Sequence, residues 1–198
     1  MERELTIQLN VRLTPDEYLL LEGAAETRSE YLGGEMIPMP PASRAHNLVV
    51  TNLAGIFANE FLDRPFETYT QGMRVKGVMP SRAYMYPDVV VVGGEPQFED
   101  SHIDTLLNPT LVVEVLSKST EGYDRGLKFS HYRSIESLQE YLLVSQKECR
   151  VEQYARQAGG KWLYTECLDP KANIDLASVA CRLPLTRLYH RVECQHSS

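Results

Sequence analysis

The sequence predicts an α/β (α+β) fold, and three observations carry that prediction. Two short apolar runs, Tyr86 to Val92 and Leu111 to Leu116, are rich in β-branched residues and bounded by Pro, Gly and Thr, the pattern of core strands. Ser43 to Leu62 instead repeats its apolar residues at helical spacing, through Val50, Leu53, Ala54, Phe57 and Phe61. Hairpin signals stand at Gly33-Gly34 and Gly159-Gly160, on either side of these elements. With 198 residues and no internal repeat or linker, a single domain is expected over 1–198.

The elements follow in order. Thr14-Pro15-Asp16-Glu17 combines an N-cap, a proline suited to the first helical position and the Glu of a capping box, so a short helix should run to about Gly23. Tyr31 to Met39 holds Gly33-Gly34 between apolar flanks and reads as a tight hairpin, stopped by Pro40-Pro41. Ser43 caps the longer helix, and Asp63-Arg64-Pro65 ends it. Phe66 to Tyr69 and Met73 to Val78 read as a strand pair around Gln71-Gly72, and with Tyr84 to Val92 they suggest a meander. Gly93 to Pro109 is polar and acidic without a period, which predicts a long loop with at most a helical turn. Ser117-Lys118-Ser119-Thr120 then leads into a helix over Tyr123 to Ser134. Leu138 to Val144 is a strand, and Val151 to Arg156 with Trp162 to Cys167 form a second hairpin. Leu183-Pro184-Leu185 argues against a long helix in the mixed stretch Ile174 to Val192, and Ser197 and Ser198 are expected to fray.

Composition excludes several function classes. At 43% hydrophobic and 24% charged residues, with no run near the roughly 18 apolar residues of a membrane span, no membrane association is expected. Met1 to Leu5 carries no apolar signal core, so a cytoplasmic location is expected. Cys149, Cys167, Cys181 and Cys194 have no Cys-x-x-Cys spacing, which argues against structural zinc and against a disulfide framework. A net charge of −7 argues against a protein that coats nucleic acid non-specifically. It leaves room for an enzyme that meets phosphates through metal ions and a local basic strip.

Asp88 and Glu114 are the residues that need explaining, because each stands in an apolar run where a buried strand should carry no charge. An isolated ionised carboxylate there costs several kcal/mol unless a cation compensates it. Alternation places Asp88 on the face of Val90 and Val92, and Glu114 on the face of Val112 and Leu116, so on neighbouring strands both acids could share one divalent ion. The plain structural alternative is a solvated strand end or a local Lys or Arg partner. It is stronger for Asp88, where Pro87 can mark the strand start, than for Glu114, which three apolar residues precede and two follow. Lys118, Asp124, Arg125, Lys128, His131 and Arg133 make the densest basic stretch. Asp124 and Lys128, four apart, are either a surface ion pair contributing a few tenths of a kcal/mol or a pair that sends Lys128 into a site. Periodicity alone reads His46 as a neutral histidine in the first helical turn.

The succession of Glu35 in a Gly-Gly-Glu hairpin, Ser43 with His46, Tyr86-Pro87-Asp88-Val-Val-Val-Val, Leu111-Val-Val-Glu114-Val-Leu-Ser117, Asp124-Arg125-Gly126-Leu127-Lys128 and Glu140-Tyr-Leu-Leu-Val144 resembles the Uma2 family of restriction endonucleases. The resemblance spans roughly Leu13 to Val144. It implies a branch of the PD-(D/E)xK nuclease superfamily: a restriction-endonuclease-like core at about 43–145, with a central mixed β-sheet flanked by helices in αβββαβ order. An N-terminal helix-hairpin extension (1–42) and C-terminal β additions (146–198) would surround it. The resemblance further implies that Asp88 and Glu114 bind Mg2+ or Mn2+, hard cations that prefer carboxylate oxygens. The superfamily's lysine two residues after the second acid is here Leu116. The Uma2 pattern places it in the next helix at Lys128, with Lys118 as its rival, and His46 would touch the metal or its water. The expected function is metal-dependent hydrolysis of phosphodiester bonds in DNA. Its alternatives are a catalytically inactive nuclease-fold scaffold and a metal-dependent hydrolase of a small phosphodiester. By analogy, the Val151 to Cys167 hairpin is a candidate homodimer surface.

Overall fold

The structure, a computed structural model, describes residues 12–78, 81–99 and 104–194. The expectations for Met1 to Leu5 and for Ser197 and Ser198 lie outside the described residues.

Helix α1 (Pro15–Ala24) begins as its capping box dictates: Glu17 N–H donates to Thr14 Oγ1 at 3.3 Å, and Thr14 N–H donates to the Glu17 carboxylate at 2.7 Å. Strands β1 (Ser29–Leu32) and β2 (Glu35–Pro38) pair through Gly33 and Gly34, at φ 56° and 106°. The left-handed backbone there explains both glycines. Helix α2 (Arg44–Glu60) starts where the Ser43 hydroxyl accepts the His46 N–H at 3.0 Å. Its Val49, Val50, Leu53, Ile56 and Phe57 are buried.

A six-stranded sheet carries the core. Its strands lie in the order β11 (Trp162–Cys167), β10 (Val151–Arg156), β9 (Glu140–Ser145), β8 (Leu111–Leu116), β6 (Val89–Gly93) and β3 (Phe66–Thr70). The β8–β9 pair is parallel and its neighbours are antiparallel, so the sheet is mixed. Alternation along β6 and β8 sorts the core into two layers. Val89, Val91, Val113 and Val115 pack with α2, whereas Val90, Val92, Val112 and Leu116 pack with Tyr132, Tyr141, Val75 and Met85. Both faces are therefore covered, which is why these strands read as continuous apolar runs.

The expected meander is corrected. Strand β3 pairs with β6, while β4 (Arg74–Gly77) and β5 (Ala83–Met85) join β1, β2 and the short β7 (Thr105–Leu106) in a separate five-stranded sheet. The run Tyr84 to Val92 is thus two strands broken at Tyr86-Pro87-Asp88. The ladder stops there because the Tyr86 N–H donates to the Glu30 carboxylate at 2.8 Å and Pro87 has no N–H to donate. The stretch Gly93 to Pro109 is corrected as well: its described part holds β7, which runs parallel to β4, instead of a helical turn.

The helix expected over Tyr123 to Ser134 is continuous over 121–132, but with a π-helical turn at Asp124–Lys128 between α-helical ends. We call the whole segment α3. Strands β12 (Asn173–Leu176) and β13 (Cys181–Pro184) form a small hairpin, and a single helical turn, Leu185–Leu188, packs near α2. With β4, β5 and β7, which belong to the other sheet, set aside as insertions, the order α2, β3, β6, β8, α3, β9 is αβββαβ. Among the described residues, no helix is long and apolar enough to cross a membrane.

Candidate active site

Antiparallel pairing of β6 and β8 matches Val89 with Val113, so Asp88, one residue before β6, falls opposite Glu114. The Val115 N–H donates to Asp88 Oδ2 at 2.7 Å and locks the carboxylate against β8. On its other oxygen, Asp88 Oδ1 lies 3.0 Å from His46 Nε2, which the first turn of α2 supplies. Three elements therefore meet at Asp88.

The π-helical turn of α3 supplies Lys128. Its Nζ lies 2.9 Å from Glu114 Oε1 and 2.9 Å from Glu30 Oε1, with a longer contact of 3.5 Å to the Tyr86 carbonyl. Asp124 Oδ1 is 3.9 Å away. The surface ion pair considered for Asp124 and Lys128 is thus corrected: both residues are buried. Sequence spacing cannot distinguish a solvent-facing i,i+4 pair from one turned onto the sheet. Lys118, by contrast, is exposed at the mouth of the site.

Tyrosine hydroxyls complete the buried network. Tyr132 donates to Glu114 Oε1 at 3.0 Å, Tyr123 donates to Glu30 Oε2 at 2.8 Å, and Tyr141 donates to the Asp124 carbonyl at 3.0 Å. Burial drives the Glu114 carboxyl well above the usual carboxylate range, against the pull of Lys128 and with the push of Asp88, Asp124 and Glu30. Burial likewise raises Asp124 to about 6. For Lys128 burial works downward, but Glu114, Glu30 and Asp124 outweigh it and hold the ammonium well above the ordinary lysine value. Three buried carboxyl groups, Glu30, Glu114 and Asp124, thus lie within 4 Å of one lysine, and a fourth, Asp88, stands opposite Glu114.

The carboxylates line a cleft of about 540 Å³. Beside His46, Gln71 has its Nε2 at 3.4 Å from His46 Nε2 and a backbone φ of 45°, an unusual conformation for a non-glycine residue. Gln146 donates from Nε2 to the Leu116 carbonyl at 2.8 Å and accepts from the Ser43 hydroxyl, tying the start of α2 to the end of β8. Sequence reasoning passed over Glu30, Gln71, Tyr123, Tyr132 and Gln146. For Glu30 a signal existed: it is an acid between Ser29 and Tyr31-Leu32 in a strand that proves wholly buried. Glu35, which the resemblance picked out instead, is exposed on β2. Leu116 packs in the core beside Tyr132 and Tyr141, where a charge would have no place.

Among the described residues, no three His, Cys, Asp or Glu side chains form a ready-made metal cluster. The donor set nonetheless suits a hard cation that keeps part of its water. Asp88 and Glu114 face each other across adjacent strands, each Asp88 oxygen keeps a second lone pair beyond the hydrogen bonds described, Glu114 takes both of its described bonds on Oε1 and leaves Oε2 to a cation, and the cluster holds more carboxyl than basic groups.

Residues 15–186 match the model of the Uma2 family, described as "Putative restriction endonuclease". Two curated relatives from Synechocystis sp. (strain PCC 6803) are similar to the chain. The "Uncharacterized protein sll1609" is 41% identical over 83% of this chain and 93% of its own length. The "Uncharacterized protein slr1290" is 34% identical over 77% and 78%. A crystal structure from Anabaena variabilis, described as "a putative nuclease belonging to DUF820", superimposes with a TM-score of 0.75. It covers 89% of this chain and 97% of that one at 19% identity, a likeness of fold.

Proposed function

The chain belongs to the Uma2 family of restriction-endonuclease-like proteins, and from that premise we propose that it is a divalent-metal-dependent endonuclease hydrolysing phosphodiester bonds in DNA. The observation that carries the reading is the meeting of Asp88 and Glu114 across β6 and β8 beside Lys128, in a buried cluster with more carboxyl than basic groups. Asp88 and Glu114 would hold Mg2+ or Mn2+. When bound, such an ion polarises a phosphoryl oxygen and acidifies a water.

The chain's own groups do the rest. His46 Nε2 and the Val115 N–H together set the plane of the Asp88 carboxylate, so it does not have to reorganise when substrate arrives. Tyr132 and Lys128 hold Glu114 in the same way. Lys128 has three protons to donate, and its contact with the Tyr86 carbonyl, at 3.5 Å, is the weakest of its three. That proton is the one available to a phosphoryl oxygen or to the attacking water as negative charge develops. Lys128 is therefore assigned the superfamily lysine's role, and exposed Lys118 is not. The fixed positive charge beside Glu114 also supports an active enzyme over an inactive scaffold.

The test is calorimetric titration of Mg2+ and Mn2+ into the wild type, Asp88→Ala and Glu114→Ala, with plasmid nicking measured on the same samples. The reading expects both binding and nicking to disappear in each variant. Undiminished nicking by Asp88→Ala would overturn it.

A further inference from the structure

Asp88 and Glu114 are 8% and 3% exposed, so a phosphodiester has to enter the cleft to reach them. The cleft's 540 Å³ falls within the roughly 300–1,000 Å³ of small-molecule pockets, room for a nucleotide or two at the carboxylates.

Two groups among its lining residues differ in chemistry. One is apolar: Ile37 and Met39 are half-buried, and Pro38, Pro40 and Pro41 are exposed, all at the end of β2 and in the segment leading to α2. The other carries Lys118 and Lys147, both exposed. Their alignment follows from the parallel β8–β9 register. Leu116 pairs with Ser145, and each lysine stands two residues past its member of that pair. Both cations therefore emerge at the same end of neighbouring strands. Arg28, which also lines the cleft, is engaged over the Tyr86 ring at 4.9 Å and with the Gly72 carbonyl at 3.3 Å.

A single nucleic-acid strand has one charged edge and one edge of flat, apolar bases. A duplex has phosphates on both outer edges and hides its bases. Resting on the nuclease reading above, we infer that this cleft takes an unpaired segment of a DNA strand, its phosphates along Lys118 and Lys147 and a base against Met39-Pro40-Pro41. Enzymes whose reactive groups lie too deep for a duplex act on single strands or on nucleotides drawn out of the stack. Base contacts with a flat apolar surface are sequence-tolerant, and two exposed lysines suit a few phosphates of one strand. The net charge of −7 disfavours a longer electrostatic footprint.

The experiment measures fluorescence anisotropy of the full chain in Ca2+ with a labelled single strand, the duplex of the same sequence, and an abasic strand of the same length. A parallel cleavage assay in Mg2+ uses a duplex with a central unpaired bubble. The single strand should bind about tenfold tighter than either the duplex or the abasic strand, the equivalent of roughly 50 Å² of base surface removed from water. Met39→Ser should erase the difference between the normal and abasic strands, and Lys118→Glu with Lys147→Glu should weaken both. Cuts should map to the bubble. Equal affinity for duplex and single strand, or for abasic and normal strands, would overturn the inference. So would cleavage of intact duplex as fast as of the bubble, which would leave the nuclease reading standing. Base-dependent single-strand binding without Mg2+-dependent cleavage of any DNA would sustain the inference and overturn the nuclease reading instead.

Discussion

Replacing Lys128 by Met keeps most of the side-chain length and removes the charge at the centre of the network. Glu114 and Glu30, each 2.9 Å from the ammonium, and Asp124 at 3.9 Å would then be buried without a cation. Removing one partner of a buried pair costs about 3–5 kcal/mol, because the remaining charge is left uncompensated. With a urea m-value of about 2 kcal/mol/M, the unfolding midpoint should fall by roughly 1.5–2.5 M at pH 8. The loss should shrink at pH 5. Without the ammonium, the folded carboxyls bind protons more tightly than the unfolded ones. A carboxyl whose folded pKa exceeds its unfolded value lends stability that is complete below the unfolded value and is lost as pH rises through the folded one. Urea unfolding followed by circular dichroism at both pH values measures this directly. A midpoint at pH 8 equal to the wild type's, or an equal drop at pH 5 and pH 8, would refute the view that Lys128 is the charge that makes this cluster tolerable.

Asp124, raised from 3.8 to about 6, should make the wild type lose about 2 kcal/mol of stability between pH 4 and pH 6, a slope that Asp124→Asn should flatten. Urea midpoints across that window check it. Tyr132→Phe removes a buried donor to Glu114 and should cost about 1.5–3 kcal/mol of stability, with a drop in Mg2+ affinity of about tenfold or more by calorimetry. Gln71→Gly should be about 1 kcal/mol more stable than Gln71→Ala, since glycine relieves the left-handed backbone while both variants lose the contact with His46. If the two unfold at the same midpoint, residue 71 carries no such strain.

The sequence alone determines what is local. Thr14 and Ser43 start helices because a side-chain oxygen three residues from a free N–H needs no tertiary help. Gly33-Gly34 turns the hairpin because other residues resist its backbone angles. Acids in buried β-branched runs mark Asp88 and Glu114 because their charge is costly there unless compensated. The tertiary structure decided the rest, because it depends on which distant segments pair. The chain leaves one sheet for the other at Pro87, where Glu30, far earlier in sequence, takes the Tyr86 N–H. Lys128 is the centre of a buried cluster only because α3 lies against the sheet with a π-helical turn. No spacing rule separates that burial from a solvated ion pair, since both present the same i,i+4 pattern and differ only in what packs on top.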